Sequence, residues 1–523
     1  MTADFDLAIV GSGFGGALLS LVARRLGLSV LLLERGRHPR FAIGESTSPL
    51  MNLLIEQIAL RYDLPRLLPL TTYGAWQRTY PEVTCGLKRG FTYYHHQAGQ
   101  PFRNAPDRST QLLVAASPAD EVSDMHWLRA DVDHFLVREA VSLGVEYWDE
   151  AQIAAVEGVG SGTATLSGER HGQPLRVRAR LIVDASGPRG LLSRALSLPE
   201  TSFLGYPPTQ TLFSHFLNVP RCDQMDAYRS ADPPPYPPDD AALHHVFDGG
   251  WMWVLRFGNG VTSAGIAVEE TLAQRWGLSE GAPAWPRFLA QFPTLREQFA
   301  DAEAIRPFVY TPRLSYRCGM AAGQGWALLP SAAAFVDPLF STGMPLTLLG
   351  IERLGRILEE AWDTPRLADR LQAYGRVSLE EADYTALFIR ACYAAMPSFP
   401  HFAAFSLFYF AAASFSEMAR RLERAPRVTC FLAADHAALA AGLRACAARL
   451  TARPVLAGTD ATAFAEKVSE RIARWNVAGL GDPARRNWYP MRLQDLVENA
   501  EKLGYTPEEM AEILATAPWA RMD

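Results

Sequence analysis

Residues 5–36 read FDLAIVGSGFGGALLSLVARRLGLSVLLLERG, and this stretch decides the fold. Leu7-Ala8-Ile9-Val10 is a short apolar run of the kind that a parallel sheet buries on both faces. Gly11-Ser12-Gly13-Phe14-Gly15-Gly16 follows, then an Ala/Leu-rich helix to about Leu26 and a second strand, Ser29–Leu33. Gly11 permits the turn, Gly13 lets backbone approach a pyrophosphate, and Gly16 lets the helix pack closely on the strand. The pyrophosphate then sits on amides at the positive end of the helix, beside Phe14 and Gly15. Glu34, with Arg35 next to it, ends the second strand where such a unit places its ribose-binding acid. A GxGxxG alone is weak evidence, because any tight turn uses glycines. Strand, helix and acid around it make a dinucleotide site.

Outward from this unit, residues 120–195 hold a helix on Asp131–Ser142 and alternating runs at Gln152–Val159, Gly162–Ser167 and Leu175–Val183, spaced like a β-meander. The block closes on Asp184-Ala185-Ser186-Gly187, a small-residue turn at a strand end that predicts cofactor contacts from Asp184 and Gly187. Thr211–Asn218 and Met252–Phe257 are strand-like, and the proline-rich DPPPYPPD at 232–239 predicts an exposed loop. From Pro345 onward the pattern is almost wholly helical. No second strand–GxGxxG–helix unit follows for a nicotinamide nucleotide, so one dinucleotide site favours a bound flavin reduced from elsewhere.

The fold expected is therefore α/β, with a Rossmann-like, GR2-type FAD-binding domain, a mixed β-sheet substrate region and a helical C-terminal region. The cofactor module takes about 1–75, 120–200 and 300–345, the substrate sheet about 76–119 and 201–299, and the helices 346–523.

At 523 residues the chain exceeds one ordinary core, and 49% hydrophobic with 20% charged residues describes a globular protein. A net charge of -6 without basic clusters argues against nucleic acid or an anionic membrane as partner. Six scattered cysteines, none in a CxxC pair, predict reduced thiols and a cytoplasmic location. The acidic MTADFD start lacks the basic region of a signal peptide. Between Arg390 and Glu417 no charged residue occurs, which is long enough to span a bilayer. Pro397, Pro400 and His401 inside it, with no basic flank, favour a buried helix pair over an integral membrane segment. The pairs His95-His96 and His244-His245 lie on alternating segments that send neighbours to opposite faces, so no metal site is expected.

Several further motifs belong together. They are Gly44-Glu45-Ser46, Lys88 within Leu87-Lys88-Arg89-Gly90-Phe91-Thr92-Tyr93, Trp251-Met252-Trp253, and Phe335-x-x-Pro338-x-x-Ser341-x-Gly343. With the Gly11–Gly16 fingerprint they resemble the flavin-dependent halogenases, over about residues 1–350, and the phenol- and pyrrole-type members more than the tryptophan-type. The resemblance implies that reduced FAD, supplied by a separate flavin reductase, works with oxygen and chloride or bromide to give hypohalous acid. Lys88 would activate that acid, and backbone amides around Ser341, Thr342 and Gly343 would hold the halide. Ser46, Arg129 and Asp337 would contact the FAD. Tryptophan halogenases carry a glutamate where this chain has Phe340, so the resemblance implies an electron-rich phenol or pyrrole, free or tethered to a carrier protein.

Two departures from the family pattern stand out. Trp251-Met252-Trp253-Val254-Leu255-Arg256 lacks the proline that usually ends this motif, and Pro330-Ser331-Ala332-Ala333 lacks the usual aspartate. Trp251 and Trp253 read equally as pocket residues or as same-face strand packing. The aromatic density at 391–415 reads as core or as the wall of an apolar tunnel. A monooxygenase or reductase on the same fold, and a flavin-binding subunit without chemistry that docks a partner, stay open as alternatives.

Overall fold

The computed structural model describes residues 4–452 and 460–520. Strand β1 (Phe5–Val10) is central, with helix α1 (Phe14–Arg25) and strand β2 (Val30–Leu33) following it. β1 pairs in parallel with β2 on one side (Leu7 opposite Val30) and with Gln173–Asp184 on the other (Leu7 opposite Leu181). Glu146–Trp148 extends the sheet beyond β2, and Trp326–Leu328 extends it beyond Gln173–Asp184. Leu7–Ile9 of β1 and all of β2 are apolar and buried because both faces are covered there. Leu7, Ile9 and Leu32 enter the large core under α1, while Ala8, Leu31 and Leu33 enter a second core under the antiparallel hairpin 151–170.

A second sheet builds the other half of the body. Strands β3 (Cys85–Lys88), β4 (Gly90–His95), β5 (Gln111–Ala115) and β6 (Asp124–Trp127) come from one stretch of chain. β4 pairs with β5 and, in parallel, with Ala242–Phe247. Gly250–Arg256, Thr262–Glu269 and Thr209–Leu217 continue that sheet in antiparallel fashion. Phe91, Tyr93, Trp251 and Trp253 face the large core, whereas Tyr94, Met252 and Val254 face a separate core under the short helices of 270–298. β3 and β6 form their own antiparallel pair, with Lys88 opposite Asp124.

Helix α2 (Pro49–Arg61) and the long helices Gly343–Ala361, Leu367–Ala395 and Phe399–Arg421 fill the space between the sheets. Phe399–Arg421 is long and apolar enough to cross a membrane, but 78% of its most apolar window is buried inside the fold. Phe402, Phe405 and Phe408 are fully covered, so this helix is core.

Two sequence readings change here. The strand Trp488–Tyr489 pairs in parallel with β5, so the C-terminal region also completes the second sheet. The proline-rich 232–239 segment is not simply an exposed loop. Tyr236 within it is buried, and its hydroxyl donates to Phe91 O at 2.6 Å. Asp239 is likewise buried and accepts from Arg256 Nε at 2.7 Å.

Gly11 has φ of +101°, and a Cβ there would lie 2.6 Å from Ala185 O. Gly11→Ala is therefore expected to cost on the order of 2–4 kcal/mol, read as a lower urea midpoint; an unchanged midpoint would contradict this account of the turn.

Candidate active site

The cofactor end is built at the carboxyl ends of β1 and β2. Ser12 donates to Glu34 Oε2 through its amide (3.2 Å) and its hydroxyl (2.9 Å), and the Gly36 amide donates to Oε1 at 3.0 Å. Arg40 Nη2 reaches the same carboxylate at 3.2 Å. Burial opposes ionisation of Glu34, but Arg40 and these donors outweigh it and hold the carboxyl below its usual range. Gly13 caps α1 with no side chain, which leaves the first-turn amides of the helix free. A Cβ on Gly13 would stand 3.4 Å from Arg129 Nη2 and 3.5 Å from Arg40 Nη2. Free amides, a helix dipole and two guanidinium groups thus converge on one point. They fit the pyrophosphate of a dinucleotide such as FAD, with Glu34 placed for a ribose.

Arg129 is a buried crosspiece. It grips Asp133 with two bonds of 2.8 and 2.9 Å, donates to Ile43 O (2.8 Å) and Gly44 O (3.1 Å), and lies 4.9 Å over the Phe14 ring. Arg35 stays on the surface. Asp184 ends its strand beside this cradle. Its carboxylate is fully buried and spent on the Ser186 amide (2.9 Å), the Ser186 hydroxyl (2.6 Å) and the Leu192 amide (2.7 Å), so it fastens the turn. Gly187 follows it with φ of +90°. Arg40 went unread in the sequence, because no motif marks it.

Lys88 lies between the two sheets and is completely buried. Its ammonium donates to Thr47 O and sits 3.9 Å from the centre of the Phe91 ring. Burial drives its pKa down to about 8, against the opposing charge of Asp124 across the ladder. His126, one strand over, is pushed down to about 3 by burial and by Lys88, and is neutral. Ser46 forms a backbone bridge to His126. The Ser46 and Ser48 hydroxyls, Glu45 Oε2 and Asp124 Oδ2 are buried without a protein partner. This polar chamber is stocked with acceptors and donors for something other than protein.

The Asp337–Gly343 turn lies across an aromatic layer from Lys88. Phe340 (φ +63°) and Ser341 (φ +57°) both hold the left-handed conformation, which is costly for residues with side chains. The turn is locked by Tyr409, whose hydroxyl donates to Phe340 O at 2.8 Å, and by Asp337, which accepts from the Leu339 amide (3.0 Å) and Tyr393 (2.9 Å). Burial pushes Asp337 up to about 6. Trp251 donates to Tyr393 at 3.2 Å and Trp253 to Ser263 at 3.3 Å, so both indoles are packed and hydrogen-bonded on the large-core face. The helix that begins at Gly343 has no side-chain cap on Thr342, and its first amides face outward from a 19-residue helix. Phe340 reaches Tyr93 at 5.5 Å and Tyr409 at 4.9 Å, and Tyr409 reaches Phe91 at 5.8 Å, linking the turn to the floor under Lys88.

A cavity of about 90 Å³ opens beside this layer, lined by Phe91, Val114, Tyr409, Phe410 and residues of the 477–496 segment.

The sequence model for the tryptophan halogenases matches residues 117–398. The chain belongs to the tryptophan halogenase family. It is a flavin-dependent halogenase of aromatic compounds, and its relatives have varied substrates. It is 30% identical to the monodechloroaminopyrrolnitrin halogenase PrnC of Pseudomonas fluorescens, over 76% of this chain and 69% of that protein. It is 32% identical to the tetracycline 7-halogenase of Kitasatospora aureofaciens, over 66% of this chain and 61% of that one. Among solved structures, halogenase PltM in complex with phloroglucinol and FAD superposes with a TM-score of 0.80 at 25% identity, covering 93% of this halogenase and 100% of PltM.

Arg129→Met leaves Asp133, which is wholly buried, with only Arg40 at 4.0 Å. The expected loss is on the order of 3–5 kcal/mol by chemical denaturation, together with weaker flavin retention on gel filtration.

Proposed function

We propose that this halogenase chlorinates or brominates a free, electron-rich phenol or pyrrole, with Lys88 activating hypohalous acid. The observation that carries this reading is a fully buried ammonium over an aromatic floor, next to a polar chamber and an apolar cavity.

FAD would be held by Glu34, Arg40, Arg129 and the α1 amides, and with oxygen and halide it supplies hypohalous acid once a separate flavin reductase has reduced it. The amides at Thr342 and Gly343, beside Ser341, hold the halide at the positive end of their helix. Lys88 then donates a hydrogen bond to the oxygen of the hypohalous acid, which makes the halogen more electrophilic. The arene, in the cavity that Phe91, Tyr409 and Phe410 line, forms the carbon–halogen bond as the oxygen–halogen bond breaks. The departing hydroxide takes the Lys88 proton and leaves as water. The arene carbon returns its proton to the lysine amine, so arene and hypohalous acid become haloarene and water. The buried aromatic layer keeps bulk water from consuming the reagent.

Phe340 puts an apolar ring where a carboxylate could have activated an indole, which supports a ring that is electron-rich by itself. Substrate without a carrier is supported by the C-terminal segment 477–496 that walls the cavity, and by full-length likeness to a halogenase solved with phloroglucinol. The 1H-pyrrole-2-carbonyl-[peptidyl-carrier protein] chlorinase of Pseudomonas fluorescens aligns with 66% of this chain. Arg256 and Ser331, the two departures from the family pattern, do not favour a monooxygenase. Arg256 ties down Asp239, Val219 O and Pro220 O, and Ser331 lies within the short helix Pro330–Ala333.

With reductase and halide, Lys88→Ala is expected to lose halogenation by at least about 10²-fold while halide-dependent oxygen consumption by the reduced flavin continues. Product formation at wild-type rate in that variant would overturn the assignment. Because the ammonium is the active form, the wild-type rate should fall as pH rises through about 8. A mass-spectrometric screen should find halogenated phenols or pyrroles; turnover of free tryptophan with phenols and pyrroles untouched would refute the substrate class.

A further inference from the structure

Among the described residues, one buried carboxylate stands on the strand that faces Lys88. Asp124 stands opposite Lys88 in the antiparallel β3–β6 ladder, and residues opposite each other in such a pair point to the same face. It is 4% exposed, and its Oδ1 accepts from Asn52 Nδ2 of α2 at 2.8 Å while Oδ2 has no partner among the described residues. Glu417, on the helix packed above, is partly exposed and already paired with Arg421 at 3.1 Å. His126 is neutral, and the remaining groups around the pair, Tyr409 and His244, carry no charge near neutral pH.

We infer that Asp124, aimed by Asn52, is the positioning residue of Lys88: it keeps the buried lysine protonated and in place for each turnover. This rests on the assignment of Lys88 above. An ammonium taken wholly out of water loses several kcal/mol of hydration, and a carbonyl and a ring face return only part of it. Burial pushes the Asp124 carboxyl up, while the charge of Lys88 and the Asn52 hydrogen bond pull it down again; once ionised, it supplies the counter-charge from the facing strand without neutralising the lysine through a tight contact. No ion pair within 4.0 Å joins the two among the described residues, so the ammonium keeps donors beyond the one it gives to Thr47 O. Asn52 fixes the carboxylate from behind, which leaves Oδ2 as the oxygen available to the lysine side. The low pKa of Lys88 agrees, since it is the charge of Asp124 that holds it as high as about 8.

The test compares Asp124→Asn, Asp124→Glu and Asn52→Ala with wild type and Lys88→Ala, all as FAD-loaded enzyme with a reductase. Asp124→Asn keeps the shape and removes the charge. Its kcat is expected to fall by about 10²-fold, with KM for the arene within about twofold. The alkaline limb of its rate profile should move down by about one pH unit, because a lysine without its counter-charge deprotonates sooner. Asp124→Glu should recover part of the rate and part of the limb. Asn52→Ala, which leaves both charges in place, should show the same shift to a smaller degree, and it serves if Asp124→Asn does not fold. A wild-type kcat and alkaline limb in Asp124→Asn, or in Asn52→Ala where that variant stands in, would overturn the inference. So would an equal loss in Asp124→Asn and Asp124→Glu with the limb unmoved, which marks a purely structural role. If Lys88→Ala is inactive while Asp124→Asn is normal, the inference about Asp124 alone fails. If Lys88→Ala still halogenates, the lysine assignment fails and takes the inference with it.

Discussion

An ammonium removed from water must be compensated by its surroundings, and Lys88 is removed completely. Much of the interior follows from that requirement. The Thr47 carbonyl accepts a hydrogen bond from the lysine, the Phe91 face lies beneath it, and Asp124 opposes it on the next strand. Each comes from a different element, so the loop after β2, the second sheet and the β3–β6 pair have to meet at one place. The layer of Tyr93, Phe340, Phe402, Tyr409 and Phe410 then closes that place to bulk water. In such a dry site an electrostatic contact is worth more than it is at the surface.

The segment from Ile43 to Ser48 joins this lysine to the cofactor cradle. Arg129 holds its first two carbonyls, Glu45 pairs with His215 at 2.8 Å, and Thr47 exchanges hydrogen bonds with Met125 through its hydroxyl. One end of the loop therefore reports to the guanidinium group beside the α1 amides, and the other to the lysine. The contacts at the Thr47 end are buried, and those of Arg129 at the Ile43–Gly44 end are partly so. The arrangement ties the cofactor cradle to the buried lysine.

The Asp337–Gly343 turn shows how the long helices serve the chemistry. Two consecutive residues with positive φ persist only where the surroundings over-determine them. Tyr393, from one helix, and Tyr409, from the next, supply the bonds that do so. The C-terminal region is thus part of the site: it holds the turn, lines the cavity and adds the strand Trp488–Tyr489 to the second sheet.

The nucleotide-binding unit was legible in residues 5–36, because its chemistry is local: a turn, a helix end and an acid lie within one short stretch whose spacing is fixed by backbone geometry. The charge-free run at 391–415 was legible as buried helix for a similar reason, since hydrophobicity without flanking charge has few other homes. Lys88 and the Ser341–Gly343 turn could be picked out only through family likeness, as nothing in their own neighbours states that they share a chamber. Asp124 and Arg40 were invisible. So were the use of Asp184 to fasten its own turn and the burial of Tyr236 within a proline-rich loop. Their roles depend on partners as far apart as Asn52 and Asp124, or Phe91 and Tyr236, and on which oxygen is already satisfied. Local sequence determines which conformations a segment can take; only the folded chain decides which distant charge, ring or carbonyl a buried group will meet, because burial is a property of the whole core.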